Sequence, residues 1–149
     1  MEQYEIFVDG GYSQKHQRGF SGFIVVEPYS TNITYSKVSK LFNSTNNRAE
    51  LIALIMALKY ISENKSDKFK LYSDSQYVVK GFNIWMHNWA KKNFRDKKNP
   101  DLWREIYDLT KGGLNVSVSW VKGHSKSNDR LSKLNRAIDE LVNTQKNIL

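Results

Sequence analysis

The chain contains no cysteine, so neither a disulfide nor a thiolate metal site is open to it. Only 2 of its 149 residues are proline, and no Pro- or Gly-rich tract reads as a linker. Long apolar runs are missing as well. No stretch approaches the about 18 uncharged apolar residues that cross a bilayer as a helix. The opening "MEQYEIFVDGG" is acidic and lacks an apolar core, so no secretory signal is expected. These absences point to a cytoplasmic protein with no membrane partner. Acids are the scarcer charge: 15 Asp and Glu stand against 23 Lys and Arg, a formal net charge of +8. Such an excess of cations favours polyanionic partners, nucleic acid first.

What is present fits one globular unit. Hydrophobic residues make up 40% of the chain, and 149 residues are enough to bury a real core, so a single domain over 1–149 is expected. A monomer is the expected state. Residues 4–9, 19–27 and 33–42 read as strands, with a turn at 28–32, and residues 4–42 as a three-stranded antiparallel meander in which the first strand stops at Gly10 and Gly11. Leu51, Leu54, Ile55, Leu58 and Ile61 recur at helical spacing within 46–64. A fourth strand over 69–74 leads into a helix over 75–89. Another helix over 99–113 starts with Asn99 as cap and Pro100 in its first turn. A fifth strand over 115–123 and a final helix complete an α/β chain, with a mixed sheet and helices packed on it.

Charge and aromatics concentrate in one place. Lys80, Lys91, Lys92, Arg95, Lys97, Lys98 and Arg104 face only Asp96 and Asp101 in that stretch, which also holds Trp85, Trp89 and Trp103. Cations interleaved with aromatics suit phosphate contact combined with packing on sugar or base. A solvated basic loop over core tryptophans is the plainer account.

Three carboxylates sit where a purely structural reading is strained. Asp9 and Asp74 each end an apolar strand. Glu50 lies in line with Leu54, Ala57, Leu58 and Ile61, so it faces the sheet. Asp74 as a helix cap, and Asn47 with Glu50 as an Asn-led capping box, are respectable explanations taken singly. Together the three acids converge at one sheet edge without an evident Arg or Lys partner, which is costly unless a cation sits among them. All-oxygen ligands favour Mg²⁺ or Mn²⁺ over Zn²⁺. A divalent metal beside a basic, aromatic groove points to phosphodiester chemistry.

The motifs "IFVDGG", "TNNRAELIALIMAL", "YSDSQYVVKGFNIWMHNW" and "SWVKGH", in this order, resemble type 1 ribonuclease H of the cellular, bacterial-like kind. The resemblance covers almost the whole chain. It implies the ribonuclease H-like fold, a five-stranded mixed sheet with strand three antiparallel to its neighbours. It also implies endonucleolytic cleavage of the RNA strand of RNA–DNA hybrids by two metal ions, Mg²⁺ with Mn²⁺ as substitute, giving 5′-phosphate and 3′-hydroxyl ends. Asp9, Glu50 and Asp74 fall on the first three catalytic, metal-binding carboxylates. Asp139 in "NRAIDELV" falls on the fourth, and His124 on a mobile active-site histidine. Asn46, Asn47 and Gln76 match residues that contact the hybrid near its minor groove. Thr45 matches a holder of a DNA phosphate, and Trp85 an aromatic along the DNA strand. The segment 85–103, with Trp89, Lys91, Lys92, Lys97 and Lys98, looks like a shortened form of the family's basic protrusion. "YSQKHQRG" replaces the family's glycine-rich turn, and the loop between His124 and Asp139 is longer than the family's. A non-catalytic nucleic-acid module, a DNA nuclease of the same fold, and the nuclease domain of a reverse transcriptase are the competing readings.

Overall fold

The computed structural model describes residues 3–65 and 67–148, with side chains as far as 144. Five strands form one sheet: β1 (Gln3–Ser13), β2 (Arg18–Val26), β3 (Ile33–Leu41), β4 (Lys68–Ser73) and β5 (Val116–Trp120), in the order β3-β2-β1-β4-β5. β2 runs antiparallel to both β1 and β3, while β4 and β5 extend the sheet in parallel from β1. The sheet is therefore mixed, as expected. The strand that opposes both its neighbours is β2, however; β3 is an edge strand paired with β2 alone.

Strand alternation divides the core in two. Ile6 and Val8 of β1, Phe23 and Val25 of β2, and Leu71 of β4 meet α1 (Asn46–Ser62) on one face. Phe7, Phe20, Ile24 and Val26 meet Leu134, Ile138 and Val142 of α5 (Arg130–Ile148) on the other. Between β4 and β5 the chain forms α2 (Gln76–Lys80), a wider π-turn over Gly81–Trp85, α3 (Met86–Lys91) and α4 (Pro100–Thr110). The helix expected over 75–89 is thus interrupted. Gly81 stands where an added Cβ would lie 2.2 Å from the Trp103 indole, and the π-turn accommodates that packing. Among the described residues no helix is long and apolar enough to cross a membrane.

β1 departs most from expectation. It does not stop at Gly10 and Gly11 but pairs with β2 as far as Ser13 opposite Arg18. Asp9 consequently lies within a strand rather than at its end. Gly10 is needed there because an added Cβ would sit 2.3 Å from the Ala49 carbonyl oxygen. The strand backbone and the first turns of α1 are in direct contact, and only glycine permits it. β5 is shorter than expected, ending at Trp120, so residues 121–123 belong to the loop that follows.

Candidate active site

Three elements deliver the acids. Asp9 projects from β1 and is 7% exposed. Glu50 projects from α1, whose N-cap is Thr45: its hydroxyl accepts from Arg48 N at 3.1 Å. With Thr45 as the cap, Glu50 lies two residues beyond the position a capping box requires, so Asn47 and Glu50 form no such box and the carboxylate serves elsewhere. Glu50 Oε1 accepts from Gly10 N at 3.2 Å, while buried Oε2 has no hydrogen-bond partner. Asp74 directly follows β4. It does not cap α2, because Ser75 does, its hydroxyl accepting from Val78 N at 3.2 Å. The capping explanation for Asp74 therefore fails on geometry.

Carboxylate oxygens of Asp9, Glu50 and Asp74, one from each, lie within 4.8 Å of one another. No ion pair among the described residues includes any of the three. Asp139, half-buried on α5, and exposed His124 line the same cavity of about 170 Å³. Burial, then the neighbouring charges of Asp74 and Asp139, push the Asp9 carboxyl up to about 8. Burial and the charges of Asp9 and Asp74 hold Glu50 well above the usual carboxylate range. Burial raises Asp74 too, opposed by a hydrogen bond from Asn135. Without a cation, the cluster stays partly protonated.

That protonation has a sign. Between the ordinary carboxylate range and about pH 8, folded Asp9 holds a proton that the unfolded chain has lost. The folded state then binds more protons, so stability increases as pH falls through this window. In EDTA, the urea midpoint is expected to rise from about pH 8.5 down to about pH 5.5. Divalent metal should abolish or reverse the slope. A midpoint that climbs with pH in EDTA would contradict the crowding of these acids.

Two residues that sequence reasoning missed hold Asp74. Trp120 Nε1 donates to the Asp74 carbonyl at 3.2 Å, and Asn135 Nδ2 donates to Asp74 Oδ2 at 3.5 Å. Asn135 offered one signal, its place one turn before Asp139 on α5. Trp120 offered none, being 46 residues from its partner.

The remaining candidates lie outside the acid cluster. Thr45, Asn46 and Asn47 are exposed at the start of α1 and line a cleft of about 570 Å³ with Gln14, Lys98 and Asn99. Asn46 Oδ1 accepts from Tyr12 N at 2.8 Å, which orients its amide against the extended part of β1. Gln76 is exposed in the first turn of α2. Lys91, Lys92, Lys97 and Lys98 are all exposed. The tryptophans of the basic segment separate: Trp85 is exposed, Trp89 half-buried, and Trp103 fully buried in the core. Trp89 rests edge-on against Trp103 at 5.5 Å, with Lys97 Nζ 5.6 Å over its ring. Trp103 is therefore a packing residue, its Nε1 donating to the Tyr77 hydroxyl at 2.9 Å.

The architecture and sequence have known counterparts. The chain aligns over 97% of its length with a type 1 RNase H carrying the type 2 active-site motif (LC9-RNase H1), at a TM-score of 0.79, 24% identity and 72% coverage of that chain. It also aligns with the protease–reverse transcriptase of prototype foamy virus, at a TM-score of 0.85 and 18% identity over 97% of this chain and 21% of that one. At these identities the likeness concerns the fold. Sequence relatives are nearer. Ribonuclease HI of Helicobacter pylori is 40% identical over 136 residues, 90% of this chain and 91% of that protein. Ribonuclease H of Hahella chejuensis is 38% identical over 148 residues, 96% and 93% of the two chains. The RNase H family model matches residues 1–147. With that match and relatives covered almost end to end, the chain belongs to the RNase H family of endoribonucleases.

Proposed function

We propose that residues 1–149 form one catalytic domain that cuts the RNA strand of RNA–DNA hybrids internally, leaving 5′-phosphate and 3′-hydroxyl ends. The observation that carries this reading is the convergence of Asp9, Glu50 and Asp74, none of which has an ion-pair partner among the described residues. The buried, unpartnered Glu50 Oε2 is an orphaned ligand atom of the kind a hard cation satisfies. Asp9, Glu50, Asp74 and Asp139 would hold the metal. Bound there, two divalent ions, Mg²⁺ with Mn²⁺ as substitute, supply activation of water and stabilisation of the leaving 3′-oxygen. His124, exposed on the rim of the cavity, relays a proton or assists product release.

Substrate selection falls to the exposed polar and basic surface. Asn46, Asn47 and Gln76 read the 2′-hydroxyls that separate RNA from DNA. Thr45 holds a phosphate of the DNA strand, Trp85 packs along it, and Trp89 supports that surface from below. Lys91, Lys92, Lys97 and Lys98 supply phosphate contacts. Changing these four lysines to Ala is expected to lower the salt slope of hybrid binding by about one unit per lost contact. Turnover at saturating substrate should fall far less. A slope equal to wild type would make the lysines ordinary solvated charges. The protein is read as a cytoplasmic monomer.

The reading is tested by incubating labelled RNA–DNA hybrid, duplex RNA and duplex DNA separately with Mg²⁺, and then with EDTA. Cleavage confined to the hybrid and abolished by EDTA is expected. Equal cleavage of duplex DNA would overturn it.

A further inference from the structure

The start of α1 and the basic segment flank one cleft, and the Arg48–Asp101 ion pair joins them across 53 residues of chain. Arg48 donates to both carboxylate oxygens of Asp101, at 3.0 and 2.8 Å. The same guanidinium donates to Asn99 Oδ1 at 3.3 Å. Asn99 Nδ2 donates to the Tyr77 hydroxyl at 3.3 Å, which also accepts from buried Trp103. The chain of contacts thus ties the start of α1 to α2, α4 and the core.

Asn99 shows that the arrangement is imposed. It occupies the N-cap position of α4 as expected, but at φ 55°, in the left-handed region, and its side chain caps no α4 amide. A favoured capping residue here forgoes its cap and holds a strained backbone while bonding Arg48 and Tyr77. Stability does not account for this. The side chains of Arg48 and Asp101 are 31% and 61% exposed, and even a two-bond pair so exposed contributes no more than about 1 kcal/mol to folding. Their location does account for it: Asn47 precedes Arg48, and Lys97 and Lys98 lie just before Asn99.

We propose that the Arg48–Asp101 fork is a positioning strut. It fixes the spacing between Thr45, Asn46 and Asn47 on one side of the cleft and Lys97 and Lys98 on the other, and so sets affinity for the hybrid rather than turnover. This rests on the hybrid-cleaving function proposed above. Two planar groups bonded through two parallel hydrogen bonds define an angle as well as a distance. A duplex gripped at two places requires both.

Charge and geometry predict opposite signs, which makes the strut testable. Asp101→Asn removes an anion from beside a nucleic-acid groove. If Asp101 acted only through charge, KM for the hybrid would fall. The strut predicts a rise of roughly fivefold to tenfold at fixed salt, the value of one positioned charge-assisted contact, with kcat within about twofold of wild type. Arg48→Lys keeps the charge but loses the fork, and should raise KM in the same way. Asp101→Glu retains a carboxylate and should recover most of the affinity. Thermal unfolding midpoints of all three should stay near wild type. An unchanged or lower KM for Asp101→Asn, or a loss carried by kcat alone, overturns the strut. Failure of the wild-type protein to cut hybrids at all would instead overturn the function on which it rests.

Discussion

Asp74→Asn is expected to leave the fold standing and to lower Mg²⁺-dependent hydrolysis of RNA–DNA hybrids on the order of a thousandfold, the rate equivalent of about 4 kcal/mol. The substitution keeps the shape of the side chain and removes only its charge. Neither hydrogen bond from Trp120 or Asn135 requires that charge: Trp120 binds the main-chain carbonyl, and Asn135 meets a side-chain oxygen that Asn also supplies. Ser75, not Asp74, caps α2, so the helix start survives. In the metal-free protein the exchange relieves repulsion, because the Asp74 charge is among the forces raising Asp9 and Glu50. The apo variant should therefore unfold at the same temperature as wild type or above it, most clearly at alkaline pH, where the crowded carboxylates carry the most charge. The pair of results matters more than either alone. Lost activity with lost stability would mean a damaged scaffold, and retained activity would reduce Asp74 to a polar residue at a strand end.

Much of this architecture was legible because alternation and helical spacing are local signals. The opposite destinations of Ile6 and Phe7 follow from a period of two, and the buried face of α1 from the leucine spacing that also aims Glu50 inward. Where local signals mislead, a long-range contact is responsible. Gly10 and Gly11 resemble a strand end, but Gly10 is glycine because α1 presses on it from 39 residues away. Asn47 offers the more familiar capping pattern, yet Thr45 takes the cap, and Asn46 is drawn aside by Tyr12. Trp103 and Trp85 are indistinguishable in composition. One fills the core beside Gly81 while the other is exposed. The meander over 4–42 already required a central strand antiparallel to both neighbours, and β2 is that strand. Convergence of the acids was legible from their positions on apolar elements. The residues steadying them were not, since Trp120 and Asn135 reach Asp74 only in the folded chain.

Two aspartates follow His124 in sequence, Asp129 and Asp139, and the structure gives them different surroundings. Asp139 lies on α5 next to buried Ile138 and one turn from buried Asn135 and Val142. It lines the cavity of the acid cluster, and its proximity contributes to the raised Asp9 carboxyl. Asp129 lies outside that cavity, immediately before α5. Its Oδ1 accepts from Ser132 N at 2.9 Å and its Oδ2 from Ser132 Oγ at 2.9 Å and from Ser127 Oγ. Exposed and immediately before the first turn, it caps the start of α5. These hydrogen bonds, Ser127 first, lower its carboxyl to about 2. The contribution of this ionised cap is fully present above the ordinary carboxylate range and is lost progressively as pH falls from there through about 2. Asp139→Asn is accordingly expected to cut Mg²⁺-dependent hydrolysis by about a hundredfold or more, with little change in unfolding temperature. It should also shift Asp9 downward in the metal-free protein, because one neighbouring charge is gone. Asp129→Asn should leave kcat and KM near wild type, since Asn caps nearly as well as Asp. Measured together in one hybrid-cleavage assay, the two variants separate by orders of magnitude. If Asp129→Asn is the more damaging, the fourth ligand belongs to the loop before α5, and Asp139 does no more than border a cavity.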